Sequence, residues 1–152
     1  MATFNTNWPR WIAASVQKHF DANKGSLTMY IEGMPRNTDS LTDFFELRLD
    51  GPYFTEVSKG AWNIYIEVNV LIQSSLQLDL HKIHKDVGIV SLAFIDFEVK
   101  EYSDGEAILG CMQLLQNMKE RERLQVSHFG EIRTGTRLAQ ATVEGHYAML
   151  LK

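Results

Sequence analysis

"DLHKIHKD", residues Asp79 to Asp86, holds the residue types of this chain that come nearest to metal chemistry. On a helix His81 and His84 share a face at three-residue spacing, with Asp79 and Asp86 close in sequence. A zinc centre asks for a third ligand and, in catalysis, a positioned general base, and no His-Glu-x-x-His pattern is present. Solvated histidines are the commoner meaning of such a pair. Glu46 and Asp50 lie four apart in an extended segment, so they share a face without being neighbours, which disfavours a general acid/base pair. His128 and His146 fall on facing arms of an expected hairpin, where a cross-strand hydrogen bond is the plainer explanation. "GEIRTGTR" spaces glycines as phosphate loops do, yet it lies in a hairpin turn and not between strand and helix. Nucleophile elbow, Walker-type loop and dinucleotide fingerprint are all missing. The expectation is a protein that is not an enzyme and carries no cofactor or metal.

Polar chemistry of another kind lines the long alternating segments. "GAWNIYIEVNVLIQ", Gly60 to Gln73, puts Trp62, Ile64, Ile66, Val68, Val70 and Ile72 on one face of a strand. Asn63, Tyr65, Glu67, Asn69, Leu71 and Gln73 take the other. At roughly 3.3 Å per residue this strand would span about 40 Å, the width of a whole domain of this length and about twice a typical strand. The last segment repeats the pattern, with Ala139, Ala141, Val143, Gly145, Tyr147, Met149 and Leu151 against Gln140, Thr142, Glu144 and His146. Such faces are rich in donors and acceptors and poor in lysine. They suit either a solvated sheet surface or a wet subunit interface beside aromatics such as Tyr65 and Tyr147. Tyr65, Glu67, Asn69, Glu144, His146 and Tyr147 are the interface candidates.

The elements that must carry these faces follow from periodicity. "NWPRWIAASVQKHFDANKG" reads as a helix burying Trp8, Trp11, Ile12, Val16 and Phe20, with Ser15 or His19 beside them, Asn7 as cap, Pro9 in the first turn and Gly25 at its end. "SLTMYIEG" and "LTDFFELRLDG" read as strands separated by the loop "MPRNTDS", and "LDGP" as a turn leading to "YFTEVSKG" and the long strand. Sequential strands with short connections are expected to pair antiparallel. From Leu76 to Phe94 the period becomes helical, and "IDFEVKEY" then alternates before the turn "SDG". The segment Glu106 to Lys119 fits a helix through Ile108, Cys111, Met112, Leu115 and Met118, or an extended strand. "RLQVSHFGEI" and "TRLAQATVEGHYAMLL" flank "RTG" as a hairpin. The fold class is α+β: a mostly antiparallel twisted sheet with long strands and hairpins, flanked by two or three helices.

Composition agrees with one ordinary globular domain over 1–152, with 45% hydrophobic and 22% charged residues. A net charge of -4 disfavours a sequence-independent grip on nucleic-acid backbone, and the run "KERER" mixes its signs as a solvated face does. Cys111 is the sole cysteine, so no internal disulfide is available. Neither a signal-type apolar run nor a stretch of about 18 apolar residues occurs, so synthesis in the cytoplasm without membrane insertion is expected.

"FFELRLDGPYFTEVSKGAWNIYIEVNVLIQ" and "HFGEIRTGTRLAQATVEGHYAML" resemble small virion proteins of tailed bacteriophages, those of the neck and tail end, of the tail-terminator type. The likeness lies in the order of elements across most of the chain and offers no catalytic or ligand residue. It implies a ring-forming subunit, commonly a hexamer, that caps the tail tube protein and offers a docking face to the head connector. DNA would pass through the ring without specific binding, and an acidic lumen suits that passage. The location implied is the virion neck, after assembly in the host cytoplasm. A head-completion adaptor or a tube subunit is the neighbouring alternative. From a different class, a small α+β ligand-binding domain or enzyme would use a pocket between helix and sheet lined by Trp8, Trp11, Phe44 and Tyr53.

Overall fold

The first helix, α1 (Trp8–Ala22), forms where apolar residues recur at three and four spacing, and it buries Trp8, Trp11, Ile12, Ser15, Val16 and Phe20. Pro9 sits in its first turn, where a missing N–H costs nothing. Asn7 occupies the cap position without a side-chain cap bond; its N–H donates to Asn5 Oδ1 at 2.9 Å. Seven strands and a second helix follow in this computed structural model, which describes residues 4–32, 43–75, 81–102, 105–115, 124–131 and 138–151. They are β1 (Thr28–Ile31), β2 (Phe44–Ser58), β3 (Ala61–Ser75), α2 (His81–Ser91), β4 (Phe97–Glu101), β5 (Ala107–Leu114), β6 (Leu124–Glu131) and β7 (Leu138–Leu151). The loop "MPRNTDS", the run "KERER", the turn "RTG" and Asp79 lie outside the described residues, as do the side chains of His81 and His128.

The sheet runs β1-β2-β3-β7-β5-β4 and curls into a half-barrel of mixed strands. β3 and β7 form its spine, paired antiparallel without a break from Trp62↔Leu151 to Ser75↔Leu138. The other edge of β7 is divided: β6 pairs its first part and β5 reaches Tyr147 and Ala148. Ile64, Ile66, Val68, Val70 and Ile72 of β3 are wholly buried, as are Ala141, Val143 and Tyr147 of β7. Both helices pack on this face, and one hydrophobic cluster joins Phe20, Ile83, Val90 and Phe94 to the strands. Burial of that many aliphatic and aromatic side chains, at about 1.5 to 3 kcal/mol each, is the main force holding helix to sheet.

Two expectations need correction, and one left open between helix and strand is resolved. β1 pairs β2 in parallel, Thr28↔Phe44 to Ile31↔Leu47, so these sequential strands do not pair antiparallel and the sheet is not antiparallel throughout. "LDGP" is not a turn, because β2 continues through it as a bulge in which Gly51 and Pro52 stand opposite Ile66 alone. Gly51 has φ +103°, and a Cβ there would lie 3.1 Å from the Tyr65 carbonyl oxygen, so glycine is required. The Glu106 to Lys119 segment resolves as strand from Ala107 to Leu114, with Met112 its one buried side chain. Two helices stand among the described residues, and neither is long and apolar enough to cross a membrane.

Candidate functional site on the polar face of the sheet

The parity that sends Ile66 and Val68 into the core sends Tyr65, Glu67 and Asn69 to the other face, and β7 obeys the same parity. The unbroken register then sets Glu67 beside His146 and Asn69 beside Glu144, a square of four side chains on two paired strands. β2 adds Asp50 beside Glu67, Arg48 beside Asn69 and, after the bulge, Tyr53 beside Tyr65. Five of the six candidate residues thus share one patch. Tyr147 does not: it lies on the opposite face, fully buried, with its ring centroid 5.1 Å from that of Phe97 and its hydroxyl donating to the Ile95 carbonyl at 3.2 Å. It is a core residue and cannot meet a partner subunit.

One phenolic proton organises the patch. The Tyr65 hydroxyl donates to Glu67 Oε1 at 3.0 Å and also meets His146 Nδ1. The other ring nitrogen, Nε2, faces Glu144 Oε1 at 3.4 Å. Nδ1 lies 3.5 Å from Glu67 Oε1. Tyr53 donates to Asp50 Oδ1 at 2.6 Å, while Arg48 Nε is engaged with Glu46 at 2.8 Å. Asn69 Oδ1 is buried and has no hydrogen-bond partner among the described residues. The ligand atoms of Glu67, Glu144 and His146 all lie within 4.8 Å of one another, so these three residues could hold a cation.

Burial, the hydrogen bond to Glu67 and the nearby carboxylates push the Tyr65 hydroxyl up from 10.0 to about 12. Tyr53 is raised as well, chiefly because its proton is held by Asp50. A phenol that ionises later folded than unfolded stabilises the fold fully below pH 10 and loses that contribution as pH rises towards 12. Stability is therefore expected to fall across that interval, with a shallower fall in Tyr65→Phe. Urea unfolding at stepped alkaline pH measures it, and equal slopes in the two proteins would show that Tyr65 is not responsible.

No protein-family model matches the chain, and no curated protein matches it in sequence.

The other candidates are dispersed. His128 stands opposite Ala141 in the β6–β7 ladder, so it is not the cross-strand partner of His146, whose neighbours on β3 are Glu67 and Tyr65. On α2 the metal set divides: His84 is exposed, while Asp86 is fully buried and accepts from Ser74 Oγ and from Lys82 Nζ at 2.6 and 2.7 Å. Glu46 is buried and paired with the partly exposed Arg48, whereas Asp50 is exposed beside Tyr53. Trp8, Trp11, Phe44 and Tyr53 do not form a common pocket either. Trp8 stacks on Phe54 in the core, Phe44 meets Tyr30 beside the polar face, and Tyr53 is exposed. A cleft of about 460 Å³ does open between α1 and β4, lined by Lys18, His19, Asp96, Lys100, Tyr102 and Glu106. Its charged groups are taken up locally: Lys100 lies 3.7 Å from Glu106, and Lys18 sits 4.2 Å over the Tyr102 ring.

The patch was only partly visible beforehand. Its residues follow from alternation, but its pairing depends on a ladder between segments far apart in sequence. The usable signal was two long strands of equal parity, each carrying an acid near its middle.

Proposed function

We propose that this chain is a ring-forming structural subunit of the tailed-phage neck, of the tail-terminator type, capping the tail tube and joining it to the head connector. The observation that carries the reading is the free backbone edge of β2. Pairing with β1 stops at Leu47, and from Arg48 to Ser58 the outer edge of β2 has no strand partner among the described residues. An open edge is a template for another chain, and a head-to-tail contact repeated by rotation closes a ring. The bulge at Gly51 and Pro52 and a second irregularity between Glu56 and Ser58 confine the regular part of that template to Tyr53–Glu56, short enough for a single docking contact. Edge and polar face meet at Tyr53, whose ring lies 6.2 Å from that of Tyr65, so one partner would cover both.

The test is solution mass by light scattering across concentration, with negative-stain images and with tail tubes added to a parallel set. Closed rings of one size, lost in Val57→Lys on the exposed edge, are the expected result. Filaments would instead indicate a tube subunit. A monomer that ignores tubes and rises in melting temperature with a small ligand would indicate a ligand-binding domain or enzyme and would overturn the proposal.

A further inference from the structure

We infer that Glu67, Glu144 and His146 form a binding site for a divalent ion of the zinc class, with the Asn69 side-chain oxygen at its margin. The inference goes beyond the ring reading and does not depend on it. Its basis is the convergence of three ligand atoms, all within 4.8 Å of one another, on a continuously paired pair of strands.

Around the His146 ring, Nδ1 meets the Tyr65 hydroxyl and lies 3.5 Å from Glu67 Oε1, while Nε2 faces Glu144 Oε1 at 3.4 Å. Two carboxylates thus flank one imidazole, and a cation held among the three would offset both negative charges. The buried Asn69 Oδ1, on the residue opposite Glu144 in the ladder, is a further acceptor without a donor among the described residues. Asp50, opposite Glu67, adds negative field, and Arg48, opposite Asn69 in the ladder, is engaged with Glu46. A cation among Glu67, Glu144 and His146 would offset that field.

Ligand type and spacing favour zinc over magnesium or calcium. An imidazole nitrogen with two carboxylates suits a borderline ion, whereas the hard ions ask for six or more oxygens. Tetrahedral zinc with bonds of about 2.0 to 2.2 Å holds its ligand atoms roughly 3.4 Å apart. The Nε2 to Glu144 separation of 3.4 Å already has that value. Glu67, with about a third of its side chain exposed (33%), has room to swing its carboxylate inward. Tyr65 completes the arrangement as a positioning residue: its hydroxyl engages Nδ1 and so holds the ring at the angle that leaves Nε2 for the metal.

The experiment is calorimetric titration of the chelator-treated full chain with Zn²⁺ near neutral pH, with Co²⁺ absorption as a second readout. One ion per chain in the micromolar range and a tetrahedral Co²⁺ spectrum are expected. Glu144→Gln and His146→Gln should each weaken binding at least tenfold, and Tyr65→Phe by roughly 10-fold. His84→Gln should leave it unchanged, and thermal melts establish that the variants are folded. Absence of saturable binding by the unaltered protein would overturn the inference and mean that a proton on Nε2 fills the same position. So would binding that survives His146→Gln or disappears in His84→Gln. Ions per chain are counted whatever the mass of the particle, so this result and the ring result stand apart.

Discussion

Tyr147→Ala is expected to cost about 3 to 5 kcal/mol of folding stability, the range for removing a buried aromatic ring. The ring is fully buried, packs edge-on against Phe97, and stands between Ile66 of β3 and Leu114 of β5 in the ladder. Its loss opens a cavity at the point where three strands meet. Tyr147→Phe keeps the ring and strands only the Ile95 carbonyl, for which about 1 kcal/mol is expected. Urea unfolding of both variants gives the comparison. A loss below about 1 kcal/mol for alanine would mean that the site collapses freely and that the core is not as closely packed there as the burial indicates.

Gly145→Ala should also destabilise, by about 1 to 3 kcal/mol, although alanine in place of a strand glycine ordinarily helps. A Cβ at this position would lie 2.6 Å from Phe94 Cδ1 and 2.9 Å from its Cε1, a contact that atoms do not sustain. Phe94 is itself buried against Phe20 of α1, so it has little room to retreat. Reversal of the usual sign is the diagnostic feature. Combining Gly145→Ala with Phe94→Leu should recover part of the loss, giving a coupling of roughly 1 kcal/mol or more in a double-mutant cycle. Additive effects would show that the two residues do not press on each other. Gly110 supplies a contrast, since its nearest neighbour is the flexible end of Met149 at 2.9 Å, which can swing aside.

Alternation made β3 and β7 legible from the chain alone, because a strand buried on one face must separate its apolar and polar residues by parity. α1 was equally plain, its tryptophans and phenylalanine falling on one stripe. β5 was not. It buries only Met112 fully, and a strand with one committed side chain leaves no period to read. The bulge at Gly51 and Pro52 looked like a turn because the same two residues serve both purposes; only pairing with β3 on either side distinguishes them. The parallel β1 was hidden for another reason, since direction is set by pairing and not by the strand's own residues. The site itself was half legible. Glu67 and His146 were each visible as polar-face residues, but their adjacency is a fact about register, and register between distant strands has no local signal. Tyr147 was misjudged because chemical type suggested a surface while parity placed it in the core.

The position of β7 in the chain has a consequence for how the protein comes to be folded. β7 is the last element in sequence, yet it is the central strand, joined to β3 on one edge and to β5 and β6 on the other. Until it is in place the β2–β3 hairpin and the β4–β5 hairpin have no strand between them. The ladder that closes the sheet joins Ser75 to Leu138 at one end and Trp62 to Leu151 at the other, so the chain entropy of long loops is lost before those contacts return anything. The contacts of β7 are thus almost all long-range, and pairing of this kind forms more slowly than local hairpins and helices do.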